Sequence, residues 1–171
     1  LYHQVGHSLK LNLLNADLTG IIAEFKRQSP SKGVINDIAS VADVANAYTQ
    51  FGAAGISVLT DKTFFGGTLD DLSIAVKNPI PVLRKEFIID EFQLIEAKAY
   101  GASVILLIAA CLTPTETHAL AKFAKSLGLE VLLEIHDATE LGHISETVDF
   151  VGINNRSLKS FEVNIEHSLA L

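Results

Sequence analysis

Two near-repeats, Gly52-Ala-Ala-Gly-Ile-Ser-Val-Leu and Gly101-Ala-Ser-Val-Ile-Leu-Leu, constrain the fold more than any other feature of the chain. In each, a glycine stands where a helix pattern stops and an apolar run follows. Glycine adopts the left-handed conformation that closes a helix at little steric cost, so the unit reads helix, glycine, buried strand. Gly128 marks a third helix end of this type. Strand-like apolar runs occupy residues 21–25, 55–59, 80–83, 103–109, 130–133 and 150–153, with helix patterns between them. The helix starts carry capping chemistry at Ser40 with Asp43, Thr68 with Asp71, Asp90 with Gln93, Thr113 with Glu116 and Asp137 with Glu140. At such starts a side-chain oxygen accepts an orphan N–H while the residue three positions on reaches back. Nearly continuous apolar strands joined by helical crossovers pair in parallel, because both sheet faces are then covered. The class is α/β. A leucine-rich piece at residues 8–15 adds a possible helix ahead of the first strand, within an N-terminal extension spanning residues 1–20.

Parallel sheets of this kind close into a (β/α)8 barrel or open into a doubly wound sheet. Polar residues at the ends of the apolar runs favour the barrel: Glu24 with Lys26, Thr60 with Asp61, Lys85, Glu134, and Asn154 with Asn155. A barrel spreads its chemistry around one mouth at the C-terminal strand ends, whereas an open sheet concentrates it at one switch point. Meeting water at a strand end is explanation enough for Thr60, Asp61 and Asn155. It fits Lys85 and Glu134 less well. Lys85 stands in an apolar context, Pro81-Val-Leu before it and Phe87-Ile-Ile after Glu86, where desolvation would lower an ammonium pKa and ready it for proton or Schiff-base chemistry. Glu134 lies within Val131-Leu-Leu-Glu-Ile, a costly place for a carboxylate unless it is paired or used as an acid or base. Glu24 and Lys26, two apart on a strand, point to one face, and the following Ser29-Pro30-Ser31-Lys32-Gly33 must turn.

With 171 residues, 49% hydrophobic and 19% charged, the chain is expected to form a single domain over residues 1–171. Thirteen basic against twenty acidic residues give a net charge of −7, which disfavours a nucleic-acid surface and requires any anionic ligand to be held locally. One cysteine, Cys111, allows no intrachain disulfide and suits a reducing compartment; it reads as a small core residue rather than a nucleophile. The longest apolar run, residues 104–112, is too short to span a bilayer. A cytoplasmic location without membrane partners is expected. His136 and His143 read as surface or loop positions, and no His or Cys spacing offers a metal cage. Position 1 is not Met, which reads as a fragment of a longer product.

The segments IIAEFKRQSPSKG, SVLTDKTFFGG, PVLRKEFIID, LLEIHD and VGINNRSLKSF, taken in order from Ile21, resemble the successive strand-end motifs of indole-3-glycerol phosphate synthases. That resemblance implies a (β/α)8 barrel of tryptophan biosynthesis. It would close the ring of a carboxyphenylamino-deoxyribulose 5-phosphate with loss of carbon dioxide and water, using no cofactor. It implies Lys85 as general acid and Glu134 as the carboxylate of the dehydration steps. Lys26 would meet the substrate carboxylate and share acid duty, Glu24 would orient the lysines, and Asn154 would hold a sugar hydroxyl. Ser29 and Arg156 are implied as substrate contacts, and Phe65, Phe87, Leu106 and Leu158 as the apolar grip on the aromatic ring. The family carries two more strand–loop units, with phosphate-binding glycine-rich loops, than the six read here. A typical barrel needs about 250 residues, so a polypeptide ending at Leu171 is expected to expose two sheet edges and to associate or aggregate, while a full-length protein is expected to be monomeric. Two other readings share these residues: a Schiff-base aldolase acting through Lys85, and a non-catalytic incomplete barrel.

Overall fold

A computed structural model describes residues 7–156 together with Ser168 and Leu171. Six parallel strands form one sheet: β1 (Ile22–Phe25), β2 (Gly55–Leu59), β3 (Val82–Lys85), β4 (Val104–Ile108), β5 (Glu130–Ile135) and β6 (Phe150–Ile153). Their spatial order is their chain order. A doubly wound sheet must reverse direction at a switch point; this sheet never does, so it is a curled arc of a (β/α)8 barrel. Lys85, expected just past its strand, is the last residue of β3, and Glu134 lies within its apolar strand as the penultimate residue of β5.

Side chains alternate between two faces. Ile56, Val58, Val82, Ile105, Leu107, Val131 and Leu133 point outward into the main core. They meet the helices α2 (Val41–Gln50), α4 (Leu69–Ala75), α5 (Glu91–Ala99) and α6 (Pro114–Ser126). In α6 the buried Thr117, Leu120, Ala121 and Ala124 recur at helical spacing. Leu107 is fully buried, and truncating such a residue to Ala costs about 2–5 kcal/mol. The concave face holds a second cluster of Leu9, Leu83, Val104, Leu106 and Ile108, with Ile22, Leu132 and Phe150 against it. Residues of the first and last strands share this cluster, which requires the sheet to curve. Leu9 arrives from the short helix α1 (Leu9–Leu13).

Three of the expected capping boxes form, at Thr68, Asp90 and Thr113. Ser40 caps α2 by accepting from the Asp43 amide. At Asp137 the expected α-helix is a 3-10 helix, Ala138–His143; Asp137 accepts from the Thr139 amide, and Glu140 accepts from the His136 amide. Gly101, at φ 89°, ends α5 in the left-handed conformation. Gly67 is required for space: a Cβ there would lie 2.0 Å from the Leu59 carbonyl oxygen. That close return lets the four-residue helix α3 (Lys62–Phe65) fold over the end of β2.

Candidate active site

The pleat decides which side chains reach the concave face. Glu24 is registered with Ser57, Leu59 with Lys85, Ile108 with Glu134, and Glu134 with Gly152. The inward positions at the C-terminal strand ends therefore carry two carboxylates and an ammonium, with Lys26 and Asn154 just beyond β1 and β6. These groups line one cavity of about 520 Å3.

Glu24 organises one wall. Its Oε1 accepts from Lys26 Nζ at 2.7 Å, and its Oε2 lies 3.0 Å from Lys85 Nζ. Lys85 is thus a paired ammonium with its side chain 36% exposed, not the isolated one its sequence context suggested. Burial pushes the Glu24 carboxyl up, but attraction to Lys85 and hydrogen bonds from Lys26 and Lys85 outweigh it, leaving its pKa below the ordinary glutamate value. The backbone beneath is held too, since the Tyr48 hydroxyl donates to the Glu24 carbonyl at 3.1 Å. Across the cavity Asn154 Nδ2 donates to Glu134 Oε1 at 2.9 Å, and the Arg156 amide donates to Asn154 Oδ1 at 2.9 Å, which fixes the orientation of the Asn154 amide group.

Ser29, Phe65, Phe87, Leu106 and Arg156 also line the cavity; Leu158 lies outside the described residues. The Phe65 and Phe87 rings are 6.3 Å apart and tilted by 31°, within the range of favourable aromatic pairs. Leu106 is almost wholly buried and belongs as much to the concave core as to the cavity wall. The Ser29–Lys32 turn sits at the rim on a minimal hairpin, Gln28–Ser29 against Gly33–Val34. Among the described residues of the lining, four cations, Lys26, Lys32, Lys85 and Arg156, face four carboxylates, Glu24, Asp61, Glu86 and Glu134. In a chain of net charge −7, this is a locally balanced place where an anion can be received.

Several cavity residues escaped the sequence reading. Leu59 and Ile108 belong to it because they are registered beside Lys85 and Glu134, a relation visible only once the pairing is known. Asp61, read as a solvated strand end, caps α3 by accepting from the Phe64 amide at 2.6 Å. Thr60 is not a water-facing end residue but is buried. Cys111, expected in the core, is exposed on the cavity wall, because the chain leaves β4 through the 3-10 turn Ala109–Cys111. Burial, then the charges of Glu134 and Glu140, push its thiol pKa up, which disfavours the reactive thiolate. His143, expected at the surface, is buried against α6, with Nδ1 2.8 Å from Thr117 Oγ1. His136 is half-buried, with Nδ1 3.7 Å from Glu140. Among the described residues no group of three His, Cys, Asp or Glu side chains is placed to hold a metal ion, and no helix is long and apolar enough to cross a membrane.

Compared with known proteins, residues 5–171 match the family model described as indole-3-glycerol phosphate synthase. The chain belongs to that family. A synthase of this name from Bacteroides thetaiotaomicron is 49% identical over 167 residues, covering 96% of this chain and 63% of the relative. One from an Exiguobacterium species is 55% identical over 153 residues, covering 88% and 60%. The chain therefore spans about three fifths of the length of the curated synthases it matches. Among solved structures, the carboxyl transferase domain of Rhizobium etli pyruvate carboxylase superposes with a TM-score of 0.54 at 15% identity, covering 85% of this chain and 29% of that one. A mandelate oxidase variant superposes at 0.53 and 12% identity, covering 86% and 53%. At such identities the likeness is one of fold alone. The synthase family is one of (β/α)8 barrels, to which the six sequentially ordered strands correspond.

Proposed function

We propose that the full-length protein is an indole-3-glycerol phosphate synthase, a carboxy-lyase of tryptophan biosynthesis. It would act on 1-(2-carboxyphenylamino)-1-deoxyribulose 5-phosphate. The observation that carries the reading is the Glu24 carboxylate holding both the Lys26 and Lys85 ammoniums on one wall of a cavity whose opposite wall presents Glu134. Ring closure needs a proton delivered to a ketone oxygen as the aromatic carbon bearing the carboxylate attacks the carbonyl carbon. Lys85 supplies that proton, and Glu24, 3.0 Å away, keeps its ammonium aimed. The carbon–carboxylate bond then breaks, carbon dioxide leaves, and its electron pair restores the aromatic ring. The new hydroxyl departs as water with Glu134 handling the accompanying proton transfers. Lys26 receives the substrate carboxylate and shares acid duty. Asn154, already bonded to Glu134, holds a sugar hydroxyl. Ser29 and Arg156 contact the substrate from the rim, and Phe65, Phe87 and Leu106 enclose the aromatic ring.

The bonds made and broken need only general acid and base assistance, so the chemistry calls for no cofactor. A phosphorylated small molecule is the partner, with neither nucleic acid nor membrane involved, in a cytoplasmic protein that is monomeric at full length. Lys85→Ala removes a donor needed chiefly in the transition state, so kcat should fall by about 10²–10⁴-fold with the circular dichroism unchanged. Indole-glycerol phosphate formation near the parent rate would refute the assignment. Borohydride added during turnover should trap no adduct; a Lys85-linked adduct would point to Schiff-base chemistry instead.

A further inference from the structure

Lys85 faces the cavity, and its neighbour on the pleat, Arg84, faces the helices. Arg84 is 4% exposed in a layer otherwise built of aliphatic side chains, registered between Val58 and Ile105. Nothing in the proposed chemistry touches it. A buried guanidinium is expensive, and an apolar side chain of similar size often serves stability equally well, so its presence asks for another explanation.

The hydrogen bonds supply one. Arg84 Nη1 donates to the Gln93 carbonyl at 2.7 Å, Nη2 to Glu96 Oε2 at 2.7 Å, and Nε to Thr60 Oγ1 at 3.2 Å. The Thr60 hydroxyl donates in turn to Glu86 Oε2 at 2.6 Å, and Glu86 Oε1 accepts from the Phe87 amide at 3.0 Å. The Thr60 amide donates to the Lys85 carbonyl at 3.2 Å, and Gln93 Nε2 donates to the Phe87 carbonyl at 2.9 Å. Residues 84, 85, 86 and 87 are thus each tied to a fixed point, either on α5 or at Thr60 just past the end of β2, by a network that includes one buried fork. Lys85, Glu86 and Phe87 are cavity residues.

We infer that Arg84 is a positioning residue, acting with Thr60 and Glu86 to hold the backbone of β3 so that Lys85 is aimed at the reacting carbonyl and Phe87 at the ring. The inference rests on the synthase reading. Misplacement of a reacting group by about 1 Å can lower a rate by about 100-fold, so the loss should appear in kcat.

The test uses the full-length protein. Arg84→Met removes the fork and keeps an apolar stem; Thr60→Val keeps shape and removes only the hydroxyl link; Arg84→Lys keeps charge without the fork. With rates normalised to folded protein, kcat should fall about tenfold to 100-fold in Arg84→Met and by a smaller factor in Thr60→Val, while KM stays within about twofold. Arg84→Lys should recover the parent's melting temperature more fully than its kcat. A merely structural role would change the melting temperature and leave kcat per folded molecule untouched. If Arg84→Met does not fold, Thr60→Val decides alone. Parent-like kcat in the folded variants overturns the inference while the parent's own turnover keeps the synthase reading intact; a parent without turnover sinks both.

Discussion

Glu130 and Glu134 sit four residues apart on β5 and point to the same concave face, yet they meet opposite surroundings. At the N-terminal end, Glu130 accepts from Ser8 Oγ at 2.5 Å and from the Leu9 and Lys10 amides at 2.6 and 3.4 Å. These donors are the start of α1, whose Leu9 fills the concave core. At the C-terminal end, Glu134 takes the Asn154 amide and otherwise faces the cavity. A carboxylate has about four acceptor positions. Glu130 spends most of them on one helix start, so its charge serves the fold; Glu134 retains acceptor capacity where a ligand can reach it. Residue type and apolar strand context are the same for both, so what separates a structural from a chemical carboxylate is which donors occupy it.

The comparison breaks most readily through function. In Glu134→Gln the full-length protein should lose about 10²–10⁴-fold in kcat, with its urea midpoint close to the parent's. Comparable turnover by this variant would remove Glu134 from the proton-transfer chemistry. The opposite pattern is expected at the other end. Glu130→Ala leaves the Ser8 hydroxyl and two amides without their acceptor, a loss of about 1–3 kcal/mol, measured as a lower urea midpoint. Its kcat per folded molecule should stay near the parent's, since α1 lies at the end of the sheet away from the cavity. A kcat collapse at normal stability would show that the two ends are coupled and that Glu130 is not confined to a structural role.

Much of this was legible from sequence because it depends on local chemistry. Helix-ending glycines, caps and apolar runs are short-range signals, and they placed the six strands and most of the helix starts. Alternation on a strand was sufficient to put Glu24 and Lys26 on one face. The choice between barrel and open sheet, by contrast, depends on strand order, which is a long-range property. The role of Glu130 was invisible because its partners lie more than 100 residues earlier. Arg84 and Lys85 are adjacent in sequence, yet the pleat sends them to opposite sides of the sheet. His143 and Cys111 were misjudged for a related reason: one lies on a turn packed against α6 and the other on a turn out of β4, and neither path is written in the neighbouring residues. Strand-end motifs resembling those of a known family supplied the functional reading where periodicity had stopped.

The smallest expected effect sharpens the comparison by using Cys111 as a probe of the Glu134 charge. Burial raises the thiol pKa first, and the negative charges of Glu134 and Glu140 raise it further. Only the thiolate reacts with iodoacetamide, so in the parent the alkylation rate should stay low at neutral pH and climb only as pH rises past the ordinary cysteine value. Glu134→Gln removes one of the two charges and leaves the burial in place. The thiolate is then less disfavoured, the pH–rate curve moves to lower pH, and alkylation at any fixed pH below its plateau becomes faster by a modest factor. Glu130→Ala, four residues away on the same strand but at the opposite end of the concave face, should leave the curve where it was in the folded protein. Equal curves for the parent and Glu134→Gln would mean that the Glu134 charge does not reach the cavity wall on which Cys111 sits, and the contrast between the two carboxylates would lose its electrostatic half.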